Sequence, residues 1–482
     1  MHTHSVIRFI GILVFFLGLS MAFPFIVSWA FGEHDALPLL YSMIIVMALG
    51  VFLYVIARNQ EVKVLGHRDG VAIVTFGWIA AGFAGAVPYI LSGAIPDLTD
   101  AYFESLSGFT TTGASILENI EGLPRGILMW RSITQWFGGM GIIVLSIAIL
   151  PFLGVGGMQL YKAEVPSPVV DKLKPRISDT AKTLWKVYIL ITALEILLLF
   201  LGGMPLFEAV SHAFCTMPTG GFSPKNASIA HYNSSYFDGI LIAFMIIAGI
   251  NFSLHYKLLR GDLAIFGKDP ECRVYLTVVF LFILLLTFNL HGTVYASLAK
   301  AFRYAAFQVS SIITTTGFAT ADFDQWPALS KKILVLCMFL GAMAGSTGGG
   351  IKIVRIILLA KHAYQEIFRI IHPHAITTVK LGGKGVPQEV LSSIWGFFIL
   401  YLAIFVTSAI IMASLGLDMV SSFASVAACI FNVGPGLGMV GPTKNYLLIP
   451  SLGKWILIFC MLVGRLEIYT VVALLIPEYW RK

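Results

Sequence analysis

The chain has 482 residues, of which 57% are hydrophobic and only 12% are charged, and its formal net charge is +7. Ordinary soluble proteins carry about 25% charged residues, so the composition excludes a water-soluble globular protein. Continuous apolar runs, rather than alternating ones, exclude a transmembrane β-barrel. The sequence therefore predicts an all-α polytopic membrane protein.

The first predicted element is a transmembrane hairpin over residues 1–66, formed by the apolar runs 10–30 and 39–56. The first run is too long for the apolar core of a signal peptide, and we interpret it as a retained helix. The loop between the runs carries Glu33 and Asp35 but no Lys or Arg. By the positive-inside rule this loop faces outwards, whereas the later basic loops and both termini face the cytoplasm.

Four unequal repeats follow the hairpin, and each has two apolar segments around a shorter stretch. The repeats are expected at residues 67–165, 166–268, 269–385 and 386–482. In each of them a pore helix, too short to cross the bilayer, precedes an extended loop and a second membrane helix around one pore. The expected pore helices cover residues 98–109, 206–217, 298–313 and 419–431.

The first and third repeats are the most alike. Residues 103–113 read FESLSGFTTTG and residues 307–317 read FQVSSIITTTG. The other two copies are weaker, and we align them on Gly221 and Gly434, with Gly436 and Gly438 competing in the last. The four aligned loops, called loops 1 to 4, contain Thr110, Thr111, Thr112 and Gly113; Pro218, Thr219, Gly220 and Gly221; Thr314, Thr315, Thr316 and Gly317; and Phe431, Asn432, Val433 and Gly434.

These loops have the chemistry of a selectivity filter for a monovalent cation. Irregular backbone at membrane depth occurs where it is buried in protein or lines a water-filled path. Backbone carbonyls can replace the hydration shell of an ion, and Gly permits the angles that aim them inward. The helix C-termini beside the pore also favour a cation. A helix-ending turn is the alternative, but it does not explain four copies at matching positions.

The side chains around the loops refine this prediction. The loops carry no charge, which argues against a calcium-type ring of carboxylates. Four acidic residues follow the loops on the outer side, and they either concentrate cations at the mouth or are simply solvated. They are Glu118, Glu121, Asp322 and Asp324.

Four features resemble the membrane subunits of the Trk/Ktr/HKT superfamily of potassium transporters, and the bacterial Trk type in particular. They are the four loops, GGMG at 138–141 with LGVGGMQL at 153–160, AGSTGGGIK at 344–352, and GRLEIY at 464–469. The resemblance covers nearly the whole chain, and the N-terminal hairpin favours the Trk over the Ktr type. It implies a short filter with one glycine per repeat and loose discrimination among potassium, rubidium and sodium.

A Gly-rich segment, residues 341–352, interrupts the second helix of the third repeat and, we expect, of that repeat alone. Each Gly costs about 1 kcal/mol relative to Ala inside a helix. Close helix packing is one alternative; a nucleotide-binding loop is another, but the Gly-Lys-Ser/Thr ending is missing. The resemblance implies a mobile intramembrane gate below the filter. Its expected residues are Gly345, Ser346, Thr347, Gly348, Gly349 and Gly350, together with Arg465.

Arg465 lies inside the last apolar span, where a charge usually faces a pore or a partner. From the residues alone, pairing with an acid such as Glu467 is an open alternative. The resemblance implies a place in the permeation path, where Arg465 would repel cations and couple to the gate. Lys352 and Arg355 are interpreted as topology markers at the start of a cytoplasmic loop.

The residues alone indicate a neutral, oxygen-rich path for a monovalent cation, and the resemblance implies potassium uptake through a gated, channel-like pore in the bacterial inner membrane. We find no catalytic constellation and no motif for an organic cofactor or nucleic acid, so an enzyme is not expected. A secondary symporter coupled to protons or sodium is the alternative; the only obvious charges deep in a span are Arg465 and Glu467. The resemblance implies potassium as the transported ion, a homodimer, and a cytosolic ring of TrkA-type nucleotide-binding subunits.

Overall fold

The computed structural model describes residues 2–58, 66–148, 177–375 and 377–481, without the side chains of residues 67, 143–148 and 177–178. The LGVGGMQL motif at residues 153–160 lies outside the described residues. The expected repeat boundary at residues 165 and 166 also lies outside them, and the bounds of the four repeats stay predictions.

The N-terminal hairpin consists of α1 (Thr3–Ser20), α2 (Ala22–Phe31) and α3 (Ala36–Ile56). The single helix expected over residues 10–30 is two helices that meet at Met21, although together they form one span. Pro24 accounts for the junction, because a proline ring clashes with a helical carbonyl four residues earlier. Here that carbonyl belongs to Ser20, the last residue of α1.

Four units follow, each with a long helix, a short helix and a second long or broken helix. The first unit has α4 (His67–Leu91), α5 (Leu98–Phe109) and α6 (Arg125–Ala148). The second unit has α7 (Ile177–Leu201), α8 (Leu206–Thr216), α9 (Ser235–Ala248) and α10 (Phe252–Leu259), and the short helix α11 (Ile265–Lys268) follows it. The third has α12 (Pro270–Leu290), α13 (Leu298–Ile313), α14 (Ala328–Phe339) and α15 (Ile353–Ile371), followed by the strands β1 (Lys380–Leu381) and β2 (Lys384–Gly385). The fourth has α16 (Gln388–Ser414), α17 (Met419–Ile430), α18 (Ser451–Arg465) and α19 (Ile468–Val472), with α20 (Pro477–Trp480) at the end.

The short helices α5, α8, α13 and α17 confirm the predicted pore-helix bounds to within one residue. Side-chain caps fix where two of them begin. The carboxylate of Asp97 accepts from the backbone N–H of Asp100 over 3.0 Å, and that of Asp418 accepts from Val420 and Ser421. Such caps satisfy backbone donors that have no partner inside the helix.

Within the described ranges the second membrane helix is broken in the second, third and fourth units, so the expectation of a break in the third alone is wrong. α9 and α10 meet at 103°, and α18 and α19 meet at 119°. At the first bend the Asn251 side chain caps α10 by accepting from Ser253 N over 2.8 Å. At the second, Glu467 has a left-handed φ of +61°. A cap on one Asn and a single strained residue are weaker sequence signals than a run of glycines.

The helices form two layers. Six described helices are long and apolar enough to cross a membrane, and they expose large apolar side chains such as Phe288 and Ile410. Every residue of α17 from Ala424 to Ile430 is buried. The protein is therefore a multi-pass membrane protein, with lipid-facing helices outside and the short helices in its interior.

Candidate functional site

Loops 1 to 4 share one backbone conformation. In each loop the aligned glycine and the residue two places before it have left-handed φ angles. The glycines are Gly113 (φ +79°), Gly221 (+78°), Gly317 (+84°) and Gly434 (+93°), and the earlier residues are Thr111 (+51°), Thr219 (+58°), Thr315 (+63°) and Asn432 (+55°). The same pair of angles aligns the fourth loop on Gly434 and not on Gly436.

The four loops contact one another in a closed ring. A Cβ atom added to any of these glycines would overlap with a carbonyl oxygen of the next loop. These distances are 2.1 Å from Gly113 to Gly220 O, 2.0 Å from Gly221 to Thr316 O, 2.1 Å from Gly317 to Val433 O, and 2.6 Å from Gly434 to Thr112 O. The last contact returns to loop 1, and a side chain at any of the four glycines would displace a carbonyl of the ring.

The backbone donors of the loops point back to the short helices. At the position before each glycine, the N–H bonds to the carbonyl five residues earlier. The bonds join Thr112 to Ser107 (2.9 Å), Gly220 to Cys215, Thr316 to Ser311 and Val433 to Ala428 (2.8 Å each). The helices therefore occupy the backbone donors at this position. Some loop carbonyls accept from side chains: Gly220 O accepts from Gln135 Nε2 over 2.7 Å, and Gly434 O accepts from the Tyr446 hydroxyl over 2.6 Å.

Hydroxyl groups connect the loops internally and to each other. Thr110 Oγ1 and Thr112 Oγ1 are 2.8 Å apart, and the equivalent pair in loop 3 is also 2.8 Å apart. Asn432 Nδ2 donates to Thr112 Oγ1 over 2.9 Å, which joins loop 4 to loop 1. Thr111 Oγ1 is buried with no hydrogen-bond partner among the described residues. The ring is thus neutral, rich in oxygen and tied by side chains.

A cavity of about 150 Å³ lies on one side of the ring, and Gly113, Gly221, Gly317 and Gly434 all line it. Of the four acids expected at this mouth, Glu118 lines the cavity, together with the basic Lys225 and Lys444. The other three acids accept backbone hydrogen bonds. Glu121 accepts from Asn226 N, Asp322 from Asp324 N, and Asp324 from Gly438 N.

The Gly-rich segment has no helix and lies against the opposite side of the ring. Thr347 Oγ1 donates to Met217 O, at the base of loop 2, over 2.8 Å. Gly349 N donates to Thr315 Oγ1 of loop 3 over 2.7 Å. A Cβ atom on Gly349 would lie 2.7 Å from Phe431 O of loop 4. The predicted interruption of the helix is confirmed, and the segment reaches three of the four loops.

Arg465 reaches the same place from the end of α18. Its side chain is buried, Nη1 donates to Thr347 O over 2.7 Å, and Nη2 donates to Gly138 O over 3.1 Å. Pairing of Arg465 with Glu467 is wrong, because Glu467 Oε2 bonds to Arg355 Nη2 over 2.6 Å. Arg355 is itself buried and lies in α15, so its expected place in a loop is wrong, while its use as a topology marker stays a prediction.

Several buried charges escaped the sequence analysis, so the expectation that Arg465 and Glu467 are the only ones is wrong. Arg131 and Glu104 form a buried pair at 2.8 Å beneath the mouth. Glu195 is fully buried in α7, and Glu271 is fully buried at the start of α12. An acid at a helix start is the only available signal for Glu271, and it is a weak one, because acids are common in first turns.

Comparisons with known proteins agree with this architecture. The family described as "TrkH: Cation transport protein" matches residues 40–482. The "Trk system potassium uptake protein TrkH" of Escherichia coli strain K12 is 42% identical over 487 residues, covering 100% of both chains. The "Trk system potassium uptake protein TrkG" of the same strain is 35% identical, covering 100% of this chain and 99% of the other.

A solved structure is similar over the whole length. The potassium transporter TrkH from Vibrio parahaemolyticus matches with a TM-score of 0.90 and 37% sequence identity, and the match covers 100% of both chains. The relatives are transporters by name, which agrees with the expectation that this chain is not an enzyme.

Proposed function

The chain belongs to the TrkH family of cation transport proteins, and from that premise we propose that it takes up potassium through a gated, channel-like pore. The relatives named above are potassium uptake proteins, and they match this chain from end to end. The observation that carries the proposal is the closed ring of four loops, in which each glycine abuts a carbonyl of the next loop.

Loops 1 to 4 are the proposed selectivity filter. Ions would exchange water for backbone carbonyls at the level of Thr112, Thr316 and Val433, where the ring is narrow and uncharged. The absence of a carboxylate from the loops suits a monovalent ion, which must leave its site quickly. The glycines keep the loops close enough to form one ring, since a side chain would separate them.

The Gly-rich segment is the proposed gate, and Arg465 is its partner. The segment lies under three of the four loops, and the arginine places a positive charge beside it. A cation leaving the filter would meet both a steric and an electrostatic barrier. Movement of residues 345–350 away from the ring would remove the first of these.

A proton- or sodium-coupled symporter is the second candidate, and Glu195 is the observation that favours it. This carboxyl lies inside α7 and is fully buried. Ionisable groups inside a membrane are often functional. Glu195 is not part of the ring, however, and the channel-like pore is therefore the first candidate.

Single-channel recording from the purified protein in a planar bilayer separates the two candidates. The proposal expects ohmic unitary currents that reverse at the potassium equilibrium potential and persist when no proton or sodium gradient is present. A protein without resolvable currents, whose tracer uptake follows a proton or sodium gradient, would be a symporter. Deletion of residues 345–350 should raise the basal potassium flux; an unchanged flux would remove the gate from the proposal.

The assembly and orientation are part of the same proposal. We place the protein in the bacterial inner membrane with both termini in the cytoplasm, as a homodimer that binds a cytosolic ring of TrkA-type nucleotide-binding subunits. The phrase "Trk system" in the names of the relatives supports a multi-component assembly. Light scattering of the purified protein should give twice the chain mass, and a monomer would contradict the homodimer.

A further inference from the structure

One oxygen of Glu271 accepts hydrogen bonds from the backbone on both sides of the expected gate residues 345–350. Glu271 is the second residue of α12 and is fully buried. Its Oε1 accepts from the backbone N–H of Ala344 over 2.9 Å and from that of Val354 over 3.3 Å. Ala344 immediately precedes the expected gate residues 345–350, and Val354 follows them in the first turn of α15. One carboxylate oxygen therefore holds both flanks.

Both backbone N–H groups lie where an acceptor from another element stabilises the structure. Val354 N is among the first N–H groups of α15, which have no partner inside their own helix. Ala344 N lies just before the expected gate residues 345–350. A buried backbone donor is costly without an acceptor. Glu271 satisfies both donors from a different helix.

Backbone hydrogen bonds also join the two ends of the Gly-rich segment to each other. Gly341 N donates to Ile351 O over 2.8 Å, and Ile353 N donates to Ala342 O over 3.2 Å. These two bonds join the ends of the segment to each other, and neither of them is a link to α12. The carboxylate adds that link, and α12 is one of the six membrane-spanning helices.

We propose that Glu271 is a positioning residue for the gate, which fixes the Gly-rich segment under the filter by holding both of its flanks to α12. The inference rests on the proposed function, since it concerns the segment proposed as the gate. When the segment moves, the bond to Ala344 N breaks first, because that residue is adjacent to the moving part. The other carboxylate oxygen, Oε2, has no hydrogen-bond partner among the described residues, so both hydrogen bonds to the flanks end on Oε1.

The test compares variants of Glu271 with a matched variant two residues away. Glu271→Ala removes the acceptor oxygen. Glu271→Asp shortens the side chain, so that its carboxyl reaches at most one flank. Glu271→Gln keeps the length of the side chain and one acceptor oxygen. Asp269→Ala removes the carboxylate that caps the same helix, which accepts from Cys272 N over 2.8 Å and touches neither flank. All four act on the start of α12, but only the first two should release the segment.

The readout is the accessibility of a thiol introduced within the segment. Ser346→Cys is added to each variant, because Ser346 is buried and the five native cysteines are buried too. We expect a water-soluble methanethiosulfonate to modify the introduced thiol about tenfold faster in Glu271→Ala, since the two hydrogen bonds that this variant loses are together worth about that ratio. Glu271→Asp should be intermediate, and Glu271→Gln and Asp269→Ala should match the parent.

Three outcomes would overturn the inference: equal rates in all variants, a rate in Asp269→Ala as high as in Glu271→Ala, or no rescue by Glu271→Gln. If Glu271→Ala does not fold, as judged by gel filtration, the Asp and Gln variants still decide. The labelling rate does not depend on what the segment does to ions. A faster rate with unchanged potassium flux would therefore leave the positioning role intact and remove the gate instead.

Discussion

Arg465 donates a hydrogen bond to the carbonyl oxygen of Thr347 over 2.7 Å, and so ties the end of α18 to the middle of the Gly-rich segment. Its second bond, over 3.1 Å to Gly138 O, connects the same guanidinium to α6 of the first unit. The fourth unit thus links the third to the first, directly beneath the ring. A planar group with several fixed donors suits such a link, whereas a lysine ammonium cannot span it in the same way.

The first prediction concerns that link. Arg465→Ala should raise the basal potassium flux about tenfold, because it removes two hydrogen bonds from a charged donor and the positive charge beside the path. Arg465→Lys should give a smaller increase, since it keeps the charge but not both bonds. Tracer uptake into proteoliposomes measures the effect. Arg369→Ala is the control for lost charge, because Arg369 forms an exposed pair with Glu366. Equal fluxes in Arg465→Ala and the parent would refute the link.

The second prediction concerns the ring. A Cβ atom on Gly113 would lie 2.1 Å from Gly220 O, whereas one on Gly93 would have no neighbour within 4 Å. Both glycines have a left-handed φ, +79° and +74°, so a substitution strains the backbone similarly at either position. Gly113→Ser should therefore lower the potassium-over-sodium permeability ratio several-fold, and Gly93→Ser should leave it unchanged. Reversal potentials under bi-ionic conditions give the ratio.

The Gly93 variant makes this comparison decisive. If both serine variants changed selectivity equally, the cause would be backbone strain and not contact within the ring. If neither changed it, Gly113 would not belong to the filter.

The sequence predicted those parts of the fold that depend on local chemistry. The short helices were found because each precedes a Thr- or Gly-containing stretch between two apolar segments, and their observed bounds agree to within one residue. The alignment of the fourth loop was open among Gly434, Gly436 and Gly438, since three glycines recur at every second position. Only the φ angles distinguish Gly434, because they repeat those of the other loops.

The parts that escaped prediction depend on contacts distant in sequence. Glu271 lies 73 residues from Ala344 and 83 from Val354. No local sequence pattern predicts that a carboxyl group accepts hydrogen bonds from backbone donors so far along the chain. The same holds for Arg355, whose acidic partner Glu467 is 112 residues away. Basic residues after a membrane helix indicate topology, and no local pattern shows that packing buries one of them.

The third prediction concerns the buried pair of Glu104 and Arg131, which are 2.8 Å apart with side chains 0% and 2% exposed. Glu104 also accepts from Ile116 N over 3.0 Å, and Arg131 donates to Ser223 O over 3.2 Å. Removing one partner from a buried pair leaves an uncompensated charge and costs about 3–5 kcal/mol. Glu104→Gln should therefore lower the free energy of unfolding by about that amount.

Unfolding of the purified protein in one detergent measures this loss, and two variants calibrate it. Glu366→Gln breaks the exposed pair with Arg369 and should cost about 0–1 kcal/mol. Glu104→Gln combined with Arg131→Met should recover part of the stability, because the uncompensated charge is gone. With Arg131→Met measured alone as well, a double variant whose loss of stability equals the sum of the two single losses would show that the pair is not coupled.

The last prediction concerns the cap of α17, the short helix before loop 4. Hydrogen bonds from Ser421, followed by that from Val420 N, lower the pKa of Asp418 below its ordinary value of 3.8. A carboxyl whose pKa is lower in the folded state stabilises the fold above the unfolded pKa, and the contribution is lost as the pH falls through the folded pKa. Asp418→Ala should therefore cost about 1 kcal/mol at neutral pH, and less than that below the ordinary pKa.

Asp418→Asn separates the cap from the charge. Asparagine caps a helix about as well as aspartate but does not titrate, so this variant should keep most of the stability at neutral pH. In acid, the parent should lose part of the advantage that it holds over Asp418→Ala, while Asp418→Asn should keep its own. Unfolding curves of the three proteins at neutral pH and near pH 3 make the comparison. A gap between parent and Asp418→Ala that stays constant with pH would mean that the carboxylate charge contributes nothing to the start of the helix that carries loop 4.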